Sequence, residues 1–306
     1  MNIVFMGTPD IAVNSLIALS EKHNIKAVFT QPDKPVGRKQ ILTPPPVKVC
    51  AEELGIPVYQ PASMRDGQAL EILKEINPDA IAVIAYGKIL PKEILEVARY
   101  GSVNAHASLL PKYRGASPIQ WSIVCGETET GVTTQLMDEG MDTGDILEMA
   151  KVKIGENETA EQLYDRLAVV AAELLVSTLD KLPKGEITPV PQNNDEATYA
   201  PIIKKEMALI DFNKDAKTIN NMVRGYNSWP VAYFMLEGKR LKVFSASVYG
   251  ETERKPGEII KADKEFIIAC GNNTALKLLE VQLEGSKKMS AEAMLQGKKI
   301  ETKTLI

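Results

Sequence analysis

Ser102-Val103-Asn104-Ala105-His106-Ala107-Ser108-Leu109-Leu110-Pro111 begins like a buried strand and ends on a residue that cannot continue one. Side chains alternate along an extended segment, so Asn104 and His106 share one face while Val103, Ala105 and Ala107 share the other. Proline has no N–H to give to a ladder, so the strand stops before Pro111. This places an amide and an imidazole near the carboxyl end of a strand, where open α/β sheets bind their ligands. Downstream, Gly140-Met141-Asp142-Thr143-Gly144-Asp145 adds carboxylates. The local pattern alone also fits an ordinary histidine satisfied by its neighbours, so the choice rests on the rest of the chain.

Outward from this segment, strand-like and helix-like stretches alternate. Ile3-Val4-Phe5-Met6-Gly7, Ala27-Val28-Phe29-Thr30 and Ala80-Ile81-Ala82-Val83-Ile84-Ala85 are short apolar runs. Helical spacing lies between them, near residues 12–19, 47–54, 66–76 and 91–98. Such alternation implies an α/β fold with a parallel-rich sheet covered on both faces. Thr159-Ala160-Glu161-Gln162 has the form of a capping box, and Leu163, Leu167, Val170, Leu174 and Leu175 continue one apolar stripe, which predicts a long helix. Residues 183–201 are rich in Pro, Asn, Asp, Glu and Thr, the composition of a linker. A helix near 216–226 and short β-rich runs at 232–236, 240–247, 257–261, 265–270 and 275–283 follow, which suggests a small barrel. The expected division is a first domain over residues 1–189, a linker over 190–205 and a second domain over 206–306.

Composition narrows the function classes. The 306 residues are 44% hydrophobic, enough for packed cores in two domains. No apolar run approaches the roughly 20 residues of a membrane span, and Met1-Asn2-Ile3-Val4-Phe5-Met6-Gly7 lacks a basic leader, so a cytoplasmic protein is expected. Cys50, Cys125 and Cys270 have neither disulfide nor metal-site spacing, and no metal is expected. Gly7-Thr8-Pro9 matches neither a dinucleotide fingerprint nor a P-loop. The net charge of -4 divides unevenly: residues 1–203 hold 18 Lys+Arg against 27 Asp+Glu, and residues 204–306 hold 18 against 13. A basic second half fits either an anionic partner such as nucleic acid or an uneven solvated surface.

These segments resemble the methionyl-tRNA formyltransferase family over essentially the whole chain. The resemblance is carried by Ile3-Val4-Phe5-Met6-Gly7-Thr8-Pro9-Asp10, Gln31-Pro32-Asp33-Lys34-Pro35-Val36-Gly37-Arg38, Ala85-Tyr86-Gly87-Lys88-Ile89-Leu90-Pro91 and the Asn104 to Pro111 stretch. Arg114-Gly115-Ala116-Ser117-Pro118-Ile119-Gln120, Met141-Asp142-Thr143-Gly144-Asp145 and Asn227-Ser228-Trp229-Pro230 carry it further. It implies a Rossmann-like formyltransferase domain followed by a smaller OB-like β-barrel domain. It also implies formyl transfer from 10-formyltetrahydrofolate, as co-substrate, to initiator methionyl-tRNA. Asn104, His106 and Asp142 would be catalytic, with Asp145 a loop-fixing carboxylate. Ser108, Leu109, Leu110 and Pro111 would contact the folate. Residues 30–48 would approach the tRNA acceptor stem, with Arg38 and Lys39 touching tRNA. The set around Asn104, His106 and Asp142 is shared with formyltransferases of small amines, which remain the alternative acceptors. The basic second domain, with Lys239, Arg240, Lys242, Lys287, Lys288, Lys298 and Lys299, would track a phosphate backbone. Trp229 is expected in a core, and the chain is expected to be a monomer.

Overall fold

The computed structural model describes residues 1–37 and 39–302. The chain forms two compact units. The first comprises Met1–Pro118, Glu129–Lys153 and Tyr164–Ala200, and the second Ile119–Thr128, Ile154–Leu163 and Pro201–Ile306.

The first unit begins β1 (Asn2–Gly7), α1 (Ile11–Lys22), β2 (Asn24–Phe29), β3 (Lys34–Val36), β4 (Ile41–Thr43), α2 (Pro46–Glu53) and β5 (Val58–Tyr59). It continues through α3 (Gln68–Ile76), β6 (Ala80–Ile84), α4 (Lys92–Leu95), β7 (Ser102–His106), β8 (Arg114–Gly115) and, after α5 (Pro118–Val124), β9 (Glu129–Leu136) and β10 (Asp145–Lys153). Most of the long helix α6 (Ala160–Lys181) and the short strand β11 (Tyr199–Ala200) complete it. Its main sheet has the order β10-β9-β7-β6-β1-β2-β5. The five strands from β7 to β5 are parallel, while β9 runs antiparallel to β7 and β10 to β9. This is the parallel-rich α/β sheet that the alternating pattern predicts. One face is filled by Val4, Met6, Phe29, Leu73, Ile81 and Val83, all nearly inaccessible to water. The strand order reverses between β1 and β6, so the carboxyl ends of these two strands flank the crevice that such sheets use for ligands, with β7 next to β6.

At the start of α6 the expected capping box is formed. Thr159 N donates to Gln162 Oε1 at 3.0 Å and Gln162 N donates to Thr159 Oγ1 at 3.3 Å.

The second unit contains α7 (Ala216–Gly225), β12 (Tyr233–Leu236), β13 (Lys239–Glu251), β14 (Ile259–Ala262), β15 (Phe266–Cys270), β16 (Thr274–Leu283), β17 (Met289–Ser290) and α8 (Ala291–Gly297). Its antiparallel sheet has the order β12-β13-β16-β15-β14, with β17 paired to β16. Register shifts along β13, between Val243 and Ser245 and again between Val248 and Gly250, mark bulges that increase twist and curl the sheet. The result is a half-barrel, in keeping with the OB-like expectation. Its core holds Ile219, Val223, Phe234, Leu241, Phe266 and Leu278, with Phe212 edge-on to Phe234 at 5.2 Å. Asp215 caps α7 by accepting from Thr218 N at 2.9 Å and Thr218 Oγ1 at 2.7 Å, and these bonds hold its carboxyl below the usual carboxylate range. Trp229 departs from expectation and is 55% exposed. It sits in the turn after α7, where Asn227 Nδ2 ties the chain to Phe244 O and the indole falls outside the core.

Candidate active site

Alternation along β7 puts Asn104 and His106 on one face, and the antiparallel register sets them opposite Gln135 and Thr133 of β9. Asn104 is 8% exposed and His106 7%. The Asn104 amide makes no side-chain hydrogen bond among the described residues, and its polar atoms keep access to solvent. A nearly buried amide that still opens to solvent is suited to a partner that arrives with substrate.

His106 is fixed by its surroundings. Its Nε2 lies 2.9 Å from the carbonyl of Tyr113, which can only accept, so Tyr113 selects the tautomer with a proton on Nε2. Its Nδ1 faces Asp142 Oδ1 across 3.6 Å, beyond hydrogen-bond range, and makes no shorter bond among the described residues. The Asp142 carboxylate is held from two other sides: Gly115 N donates to Oδ2 at 2.8 Å and Gln135 Nε2 to Oδ1 at 3.2 Å. The structure thus brings His106 and Asp142 together, with Gln135 joining Asp142 to the strand face that carries Asn104. Asp145 opens β10, paired with Leu136 through the backbone.

Ser108, Leu109, Leu110 and Pro111 form the turn that follows β7. Ser108 is fully buried, and its hydroxyl donates to Lys112 O at 2.6 Å. Thr133 Oγ1 donates to Ser108 O at 2.7 Å and accepts from Leu110 N at 3.1 Å. Leu110 is also buried, and Leu109 packs over Gly131, where an added Cβ would lie 2.6 Å from its Cδ2. Only Leu109 and Pro111 of the four keep accessible surface. A 280 Å³ cavity adjoins Asp142 instead along Lys88, Ile89, Leu90, Gln135 and residues 137–141. Lys88 is part-buried there, donating to Ala62 O at 2.8 Å and to Pro61 O, and burial lowers its pKa. Among the described residues no cluster of His, Cys, Asp and Glu is arranged to hold a metal ion.

Residues 1–179 match the Formyl transferase family, and residues 202–299 match the Formyl transferase, C-terminal domain. The methionyl-tRNA formyltransferase of Geobacter metallireducens is 48% identical over 303 residues, covering 98% of this chain and 97% of that protein. The chain belongs to the methionyl-tRNA formyltransferase family. The relative from Caldanaerobacter subterraneus subsp. tengcongensis, also 48% identical, covers 100% of both chains. Among solved structures, an N-formyltransferase from Helicobacter canadensis shares the fold, with a TM-score of 0.70 at 22% identity over 91% of this chain and 98% of that one.

As a methionyl-tRNA formyltransferase, the chain has further residues of interest that sequence pattern left without a role. Gln135, Gly115 and Tyr113 hold the two central side chains; Gln135 and Tyr113 lie in stretches without catalytic signature, and Gly115 was visible only within a stretch carrying the resemblance. Lys88, Ile89 and Leu90 were visible only as carriers of the resemblance. In residues 30–48 the structure forms a two-stranded hairpin, β3 with β4, whose Val36, Ile41 and Leu42 are exposed. Its base is anchored by Asp33, which accepts from Lys48 Nζ at 2.9 Å and Gln60 Nε2 at 2.7 Å. Lys39 is exposed near the tip, and Arg38 lies outside the described residues. In the second unit Arg240 stacks on Tyr233 at 4.4 Å, whereas Lys298 and Lys288 are paired with Glu237 and Glu280, each at 2.7 Å. No helix among the described residues is long and apolar enough to cross a membrane.

Proposed function

We propose that this protein transfers the formyl group of 10-formyltetrahydrofolate to the α-amino group of methionine on initiator methionyl-tRNA, acting as a cytoplasmic monomer. The observation that carries the reading is the partnerless amide of Asn104, nearly buried beside His106 and Asp142 in a chain of this family. The amine of an aminoacyl ester titrates at or below the roughly 7.7 to 8.0 of a free terminus, so its neutral form is available without a strong base. It attacks the formyl carbon, and the carbonyl oxygen takes up the negative charge of a tetrahedral intermediate. Asn104 Nδ2 donates to that oxygen; one such donor contributes on the order of a hundredfold or more.

Collapse of the intermediate breaks the bond from the formyl carbon to N10 of the folate, and N10 must take the proton that the attacking amine loses. The unpartnered Nδ1 of His106 and the Asp142 carboxylate, 3.6 Å apart, carry that proton between the two nitrogens. The cavity along residues 88–90 and 137–141 takes part of the folate, the accessible parts of Leu109 and Pro111 contact it from the turn after β7, and the buried Ser108 and Leu110 shape that turn. Lys39 on the hairpin, Arg38 beside it in the sequence, and the basic surface of residues 206–306 hold the tRNA through its phosphates.

The test is transfer of labelled formyl from 10-formyltetrahydrofolate to methionyl initiator tRNA beside methionyl elongator tRNA. Selective labelling of the initiator is expected. Absence of transfer to either would overturn the tRNA reading in favour of a small-molecule amine.

A further inference from the structure

Residues 190–200 have the composition of a surface linker, yet they return to Asp142 by two routes. Gln192 Nε2 lies 2.8 Å from Asp142 O and 2.7 Å from Gly144 O, so the two hydrogens of one amide reach two carbonyls of the same turn. Gln192 Oε1 in turn accepts from Arg114 Nε at 3.0 Å and from its Nη2 at 2.7 Å. Nη2 also donates to Asn194 Oδ1 at 2.9 Å. By the second route, Thr198 O accepts from Arg114 N at 2.8 Å and β11 pairs with β8, which aims Gly115 N at Asp142 Oδ2.

Two features of this arrangement exceed what holding a loop requires. Arg114 is 2% exposed, and its guanidinium meets only neutral amide oxygens in the bonds it makes. A cation buried this way polarises the amide it holds and strengthens the N–H groups on its far side. Asp142 itself has φ +56°, a left-handed backbone that costs a non-glycine residue roughly 1 to 2 kcal/mol and persists only where neighbours over-determine it. Two residues on, Gly144 has no room for a Cβ, which would lie 1.9 Å from Leu136 O. The turn is therefore pinned on one side by Leu136 and on the other by Gln192.

We propose that Gln192, held by Arg114, is a positioning residue that keeps the Asp142 carboxylate turned toward His106 during formyl transfer; the proposal rests on the catalytic role given to Asp142 above. Gln192→Glu isolates the function of the amide, because it keeps an acceptor for Arg114 and removes both N–H donors. Its kcat is expected to fall about a hundredfold, the scale of a displacement near 1 Å at a reacting group, with KM for methionyl-tRNA unchanged. In an Asp142→Asn background the same substitution is expected to add little, since it acts through the side chain already lost. Gln192→Asn, an amide one methylene short, covers the case in which the glutamate variant does not fold, and its smaller loss should vanish in the same background.

Losses that add in full to that of Asp142→Asn, a wild-type kcat in both variants, or a raised KM at unchanged kcat would each overturn the positioning role. An inactive wild-type protein would instead remove the formyl-transfer reading on which it rests, so the two failures are told apart by the wild-type reaction.

Discussion

The two units bury polar side chains for different ends. In the second unit the buried Arg224 spends its donors locally, on Asn221 Oδ1 and the carbonyls of Gly155 and Glu158, and the sheet interior is otherwise apolar. In the first unit polar residues gather at one end of β7 and β9: Asn104, His106, Thr133, Gln135 and Arg114 are all under 9% exposed. There the hydrogen bonds among the described residues leave two groups open, the Asn104 amide and Nδ1 of His106. The contrast teaches where to look for chemistry: satisfied burial builds a core, while an amide and an imidazole nitrogen left open side by side mark the place for a substrate.

Breaking the core of the second unit should affect stability and leave the chemical step alone. Leu241→Ala removes a fully buried side chain and is expected to cost about 3 kcal/mol in urea unfolding, with single-turnover transfer by the folded variant unchanged. A smaller effect comes from the cap of α7, where Asp215→Ala should cost about 1 kcal/mol at neutral pH. Because the Asp215 carboxyl is held below its ordinary range, principally by the Thr218 backbone N–H, its contribution is full above the unfolded pKa near ~3.9. It is lost as pH falls through the still lower folded value, so the stabilities of wild type and variant should converge in acid. The smallest effect is expected on the exposed hairpin. Lys39→Ala should weaken tRNA binding a few-fold and reduce the slope of log affinity against log salt by about 0.7 to 0.9 in magnitude, as for one lost phosphate contact. An unchanged slope would remove Lys39 from the tRNA surface.

What was legible in the sequence follows the same contrast. Strands β1 and β6 announce themselves because both faces are buried in apolar surroundings, β7 because its apolar residues alternate with a buried polar pair, and the half-buried strands of the second sheet show β-rich runs between turns. Strand β9 does not. Its buried positions are Thr130, Gly131, Val132, Thr133, Thr134 and Gln135, so no apolar run or clean alternation marks it. Of these, Thr133 fastens the turn after β7, Gln135 the Asp142 carboxylate and Thr134 binds Thr178 and the backbone of Glu148. Asn104 and His106 were readable from alternation and a terminating proline, and Asp142 from its glycine-flanked stretch. Gln192 was not, because a segment of Pro, Asn and Asp looks the same whether it crosses open surface or carries one amide into a buried network. Trp229 misleads for the opposite reason: an aromatic beside proline has core composition, and only the course of the chain after α7 leaves it in water.

The most direct measurement is single-turnover formyl transfer by Asn104→Ala at saturating methionyl initiator tRNA, paired with the dissociation constant for the folate. If the open amide of Asn104 stabilises the developing oxyanion, the transfer rate falls a hundredfold or more while folate affinity stays near that of wild type. Weakened folate binding with a wild-type transfer rate would place Asn104 in ground-state recognition and contradict that role.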